Sequence, residues 1–134
     1  MRASSLCRPL ALVAASTALA AGAQSPAASG AGAGAGDASA GGMSFLQCAD
    51  CHSTTASHGA GPGLRGVVGR QAGKAEGFHY SAAMAKSTLV WDAKSLDAFL
   101  ANPKTAMPGT SMDFPGVGDA ADRANLIAYL ATLK

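Results

Sequence analysis

Aromatic side chains are scarce in this sequence, which has one Trp, two Tyr and four Phe in 134 residues. A globular part with so few large rings has a thin core of its own. Small domains in that position often complete their interior with a metal, a disulfide or a cofactor. Charge is also scarce, at 13% Asp, Glu, Lys and Arg, and it forms no basic stripe of the kind a nucleic-acid binder carries. Cysteine is confined to Cys7, Cys48 and Cys51. That is too few for a disulfide framework, and no second paired motif completes a four-ligand zinc site. No alternating apolar and polar run predicts a sheet. No segment reaches the roughly 18 to 20 apolar residues that a membrane-spanning helix needs.

What the chain does have begins with its first residues. Arg2 and Arg8 flank a polar start, an Ala- and Leu-rich run follows from Pro9 to Ala21, and Ala21-Gly22-Ala23 closes it. A positive n-region, a short h-region and an A-x-A site predict a secretory signal peptide over 1–23, which would carry Cys7 away with it. Residues 24–42 are almost all Ala, Gly and Ser. Such a stretch buries too little to offset the entropy of ordering its backbone and is expected to be a disordered linker. This leaves one globular domain, 43–134. Loss of Arg2 and Arg8 leaves eight Lys and Arg against eight Asp and Glu, so the mature protein is expected to be near neutral.

The chemistry concentrates at Cys48-Ala49-Asp50-Cys51-His52. C-x-x-C-H is the attachment signature of c-type haem. Two thiols three residues apart on a helical turn face one side and can each form a thioether with a vinyl group of one porphyrin. The adjacent His52 is then carried beneath the iron as an axial ligand. A thioredoxin-like dithiol would need a βαβ setting that the flanking residues lack. A structural disulfide would leave His52 without a role. For the second axial position the residues alone leave Met84, Met107, Met112, His58 and His79 as candidates. Met107-Pro108-Gly109-Thr110-Ser111-Met112 is loop-like, punctuated by Pro and Gly, and a Met opposite a His suits electron transfer.

From Cys48 onward the sequence resembles a class I cytochrome c of the soluble mitochondrial and bacterial type. The shared stretches are Gly61-Pro62-Gly63-Leu64, Gly66-Val67-Val68-Gly69-Arg70 and Gly77-Phe78-His79-Tyr80-Ser81. They continue through Trp91, Asn102-Pro103-Lys104, Pro108-Gly109-Thr110-Ser111-Met112 and Leu126-Ile127-Ala128-Tyr129-Leu130. The resemblance implies one covalent haem c with His52 and Met112 as iron ligands. It implies that the Pro62 carbonyl accepts a hydrogen bond from the His52 ring. It also implies that Arg70, Tyr80, Trp91 and Thr110 surround the haem propionates, since buried carboxylates need such partners. The sequence departs from the family at Phe99, where a Tyr is frequent, and at Met84, where an Asn is frequent. Phe45 precedes Cys48 by three residues rather than four, an offset that bears on how the first helix meets the last. The family's ring of Lys is sparse, with Lys104 its clearest survivor.

The helical signals fit an all-α fold, and the resemblance implies three to four helices and long loops wrapped around the haem. Residues 43–50 are expected to form a short helix ending at the motif. Asp92 caps a helix over Ala93–Ala101 that Asn102-Pro103 ends. Asp119 caps the last helix, whose Leu126, Ile127, Leu130 and Leu133 share a face. The implied function is that of an electron carrier rather than an enzyme: an exported, periplasmic mono-haem cytochrome shuttling single electrons in a respiratory or photosynthetic chain. The alternative is a subunit dedicated to one periplasmic dehydrogenase or oxidase. The expected partners are membrane or periplasmic redox proteins docking weakly on a monomer, with no nucleic acid and no small-molecule substrate.

Overall fold

Helix α5, Ala120–Leu130, organises the rest of the chain. The Asp119 carboxylate accepts from the Asp122 amide at 2.9 Å, satisfying one of the donors that a helix start leaves free. Leu126 and Leu130, one turn apart, are buried, Leu126 to 1% exposure. Helix α1, Ala38–Ser44, lies against α5. Its cap Asp37 accepts from the amides of Ser39 and Ala40, and the Asp37 amide donates to Asn125 Oδ1 at 2.7 Å. A Cβ on Gly41 would overlap the Asn125 backbone carbonyl and sit 2.8 Å from Tyr129 Cβ. The two helices therefore meet backbone to backbone.

This is a computed structural model, and it describes residues 35–134. The expected signal peptide, 1–23, and the linker as far as residue 34 lie outside the described residues. The linker boundary is corrected: residues 38–42, assigned to it from composition, are helical and packed on α5. The first helix is correspondingly displaced from the expected 43–50. It ends at Ser44, continues as a 3₁₀ turn over Phe45–Gln47, and gives way to the Cys48 turn. The Phe45 offset does not break the contact with the last helix. Phe45 is buried and its ring lies 5.3 Å from that of Tyr129.

Helix α3 occupies Ala93–Ala101, as its caps predict. Asp92 accepts from the Ser95 amide while Ser95 Oγ accepts from the Asp92 amide, a reciprocal capping box. Leu96, Phe99 and Leu100 face inward. Pro103 does more than end α3. Asn102 Oδ1 accepts from the Thr105 amide at 3.0 Å, and Pro103 then opens α4, Pro103–Ala106; proline suits the first turn because its missing N–H would have no partner there. Helix α2, Ala82–Lys86, starts on Ser81, whose Oγ accepts from the Met84 amide. Five α-helices, α2 and α4 of them short, exceed the three or four expected, and no strand forms among the described residues.

Arg123 closes the far end. Its Nε meets Asp97 Oδ1 at 2.7 Å, and its Nη1 donates to the Val117 and Gly118 carbonyls, each at 2.9 Å. A mostly buried guanidinium thereby joins α5 to α3 and to the chain entering α5. The core, which includes Phe45, Val67, Met84, Trp91, Phe99 and Leu126, lies between these helices and the long 53–81 segment.

Candidate haem-binding site

The attachment motif extends the 3₁₀ segment as a further turn. The Cys48 amide donates to Phe45 O at 2.8 Å, and the amides of Cys51 and His52 donate to Cys48 O at 3.1 and 2.9 Å. Neither thiol is in a disulfide; Cys48 is half-buried and Cys51 exposed. Burial, and then the neighbouring Cys51, push the Cys48 thiol above the usual cysteine range.

His52 is oriented by the chain ten residues downstream. Its Nδ1 donates to the Pro62 carbonyl at 2.8 Å, which leaves Nε2 unengaged among the described residues and would make the ring a stronger donor to a metal. The Gly61 amide donates to Cys51 O at 2.8 Å, bringing this loop across the motif. A Cβ on Gly61 would stand 2.7 Å from Nδ1 and 2.8 Å from Nε2 of His52. Only glycine allows the loop to lie this close to the ring.

Met112 lies on the loop joining α4 to α5 and packs half-buried against the core. Thr110 beneath it is buried; its Oγ1 accepts from the Met112 amide at 3.3 Å, and its own amide donates to Met107 O at 3.0 Å. The loop's exit is tied to α3, with the Val117 amide on Leu100 O at 2.8 Å. Gly116 there has φ 104°, and a Cβ would overlap the Ala101 carbonyl. On the surface Lys104 Nζ stands 3.6 Å from Asp113, so the surviving family lysine is paired beside the loop.

Of the residues expected near the propionates, Arg70 and Trp91 are joined through the backbone: the Trp91 amide donates to Arg70 O at 2.9 Å. The Arg70 guanidinium donates to the carbonyls of Arg65 and Gly63. Trp91 is buried with its ring 4.9 Å from Phe99, and its indole N–H has no acceptor among the described residues. Tyr80 Oη accepts from the Ala75 amide at 3.3 Å. No hydrogen bond joins Tyr80 or Thr110 to Arg70 or Trp91 among the described residues. Met84 and Phe99 both lie in the core.

The set fits a covalently attached haem. Two free thiols share one turn, an imidazole is fixed with Nε2 unengaged, and a thioether is held on a loop strapped to the same core. The cytochrome c family profile matches residues 38–134.

The chain belongs to the cytochrome c family. It is 47% identical over 100 residues to cytochrome c2 of Rhodoblastus acidophilus, covering 73% of this chain and 94% of that protein. It is also 47% identical over 98 residues to the c-type cytochrome cy of Rhodobacter capsulatus, covering 72% of this chain but about half, 49%, of that longer protein. Among solved structures, cytochrome cH from Methylobacterium extorquens superposes with a TM-score of 0.70 at 47% identity, over 72% of this chain and 99% of its own. As a cytochrome c, the protein binds one haem c through Cys48 and Cys51 and carries electrons rather than catalysing a reaction.

His58, one of the candidates for the second axial position, has both ring nitrogens engaged: it accepts from the Gly63 amide through Nδ1 at 3.0 Å and donates from Nε2 to Glu76 O at 2.8 Å. It stitches the loop after His52 to the 74–77 segment. Its partners are backbone groups, which leave no mark in the sequence.

Proposed function

We propose that this cytochrome is exported to the periplasm and shuttles single electrons between membrane or periplasmic redox proteins of a respiratory or photosynthetic chain. His52 and Met112 would be its axial ligands. The observation that carries this reading is the 2.8 Å bond from His52 Nδ1 to the Pro62 carbonyl. It presents Nε2 for ligation in a fixed ring orientation, so the coordination geometry changes little when the charge does. The haem iron supplies the one-electron couple, ferric to ferrous and back. The chain positions His52 through Pro62 and Gly61, and holds the Met112 loop through Thr110 and Val117. Arg70, the unengaged Trp91 indole N–H, Tyr80 and Thr110 supply donors for two propionates, which reduces the penalty of burying their charge.

Partners dock weakly at the haem edge, as transient redox encounters do. The described residues carry balanced formal charge, and Lys104 is paired with Asp113. The encounter is accordingly expected to depend less on salt than that of a strongly basic carrier.

The axial assignment is tested by absorption spectroscopy of purified ferric Met112→Ala and Met107→Ala variants. Met112→Ala is expected to lose the thioether–iron signature and Met107→Ala to keep it. Loss in Met107→Ala alone would overturn the assignment.

A further inference from the structure

The two stretches that hold the haem-bonding residues are short of positive charge. Residues 35–64, which include Cys48, Cys51 and His52, have no Lys or Arg, and their acids are Asp37 and Asp50. Residues 107–118, which include the proposed ligand Met112, also have no Lys or Arg, and Asp113 is their one acid. Lys104 approaches this second stretch, but it stands 3.6 Å from Asp113 and its charge is largely offset there. Asp50, between the two thiols, is exposed and has no cation within ion-pair distance among the described residues.

The same stretch exposes apolar surface. Met43 and Leu46, 71% and 64% exposed, are the most exposed large hydrophobic side chains among the described residues. Their direction follows from the packing of α1. Gly41 and Phe45, one turn apart, take the side that meets α5, and at helical spacing Met43 and Leu46 then fall on the opposite side. Exposed Gln47, Ala49, Asp50 and Cys51 continue this ridge into the attachment turn. Apolar surface left in water beside a redox centre marks a contact face.

We propose that the Met43–Leu46 ridge and the attachment turn form the docking face for a redox protein whose own face has an apolar centre and a cationic rim. This rests on the reading that partners dock beside the haem. The apolar centre covers Leu46 and Met43, and the cationic rim meets Asp50. An acidic partner finds no free cation on this stretch and sets its carboxylates against Asp50, a like-charge contact that disfavours the wrong partner. A second copy using the same face presents its own Asp50, and an anionic lipid surface is repelled in the same way.

The test is stopped-flow oxidation of the full-length, ferrous, haem-loaded protein by tris(phenanthroline)cobalt(III), a cation with apolar faces, and separately by hexacyanoferrate(III), a polar anion. One electron leaves the haem iron, ferrous to ferric, and reduces Co(III) to Co(II) or the probe's Fe(III) to Fe(II). With the cobalt cation the rate should fall about threefold as ionic strength rises from about 0.01 to about 0.2 M, and with the anion it should not fall. Asp50→Lys should reverse the sign of the cation's salt dependence, whereas Asp122→Asn, on the first turn of α5, should leave it unchanged. Leu46→Ser removes only an exposed side chain and should keep the parent's melting temperature. It should slow the phenanthroline complex severalfold but leave reduction of the ferric protein by hexaammineruthenium(II), a cation without apolar faces, as in the parent. A cation rate that rises with ionic strength and still responds to Asp50→Lys would overturn the proposed partner chemistry while leaving docking beside the haem intact. Rates untouched by both Asp50→Lys and Leu46→Ser would overturn the docking reading itself. Sedimentation should show a monomer with no affinity for phosphatidylcholine vesicles; a dimer or vesicle binding abolished by Leu46→Ser would assign the ridge to that occupant and overturn the proposal.

Discussion

Alanine placed at Gly41 should be harmful, while the same change one residue later should help. A Cβ at Gly41 has no free space, because it would overlap the Asn125 carbonyl and press within 2.8 Å of Tyr129 Cβ. The overlapped atom is helical backbone and cannot rotate aside, so α1 must lift from α5. Overpacking of this kind costs about 1–3 kcal/mol. Taking about 2 kcal/mol, and a shift of about 4–8 °C per kcal/mol for a domain of this size, the melting temperature should fall by about 8–16 °C. Gly42 lies in the same helix, but there a Cβ would meet only the Tyr129 ring, at 3.4 and 3.5 Å, an ordinary contact. Gly42→Ala should therefore express the intrinsic helix preference of alanine and gain about 0.5–1 kcal/mol. Thermal and denaturant unfolding of the haem-loaded proteins, followed by far-UV circular dichroism, reads both. The reasoning fails if Gly41→Ala melts within about 2 °C of the parent, a shift that would mean well under 1 kcal/mol. It fails equally if Gly42→Ala falls as far as Gly41→Ala.

Two further perturbations follow from single contacts. Asp92 is held below the usual carboxylate range, first by the Ser95 amide and then by the Ser95 hydroxyl. Its folded value lies below its unfolded value, so its stabilising contribution is present above the ordinary carboxylate pKa and is lost as pH falls through the lower folded one. The stability gap between the parent and Asp92→Asn should be open at neutral pH and close in acid, and a gap independent of pH would count against this. Gly61→Ala pushes a Cβ into the His52 ring and should tilt the ligand away from the Pro62 carbonyl. The expected result is a changed reduction potential and lower haem loading; native values for both would show that the loop is free to retreat.

The Cys48–His52 motif was legible because covalent attachment demands a local spacing, and local spacing is what a sequence displays. Helix α3 was legible for the same reason. Asp92 and Ser95, three residues apart, fix its start, and Pro103, which has no N–H to continue the ladder, fixes its end. The family stretches single out Met112 for the proposed second ligand, whereas the unaided residues left five candidates for that position.

Where partners were distant or were backbone atoms, the sequence alone determined less. Ala38-Ser39-Ala40-Gly41-Gly42 has the composition of a linker, and nothing local makes it a helix. Its order comes from Asn125 and Tyr129, more than eighty residues away, which accept a backbone approach that only glycine permits. The hydrogen bonds of Arg70 and His58 leave no trace in the sequence, because the Gly63, Arg65 and Glu76 backbone groups come within reach only on folding. The gathering of Arg65, Arg70, Lys74 and Lys134 along one concavity is likewise invisible in a balanced charge count. By itself the sequence determined the chemistry, because the motif is short and its spacing obligatory. The tertiary structure alone decided where the fold begins and how its charge is distributed, because both depend on contacts between residues far apart in the chain.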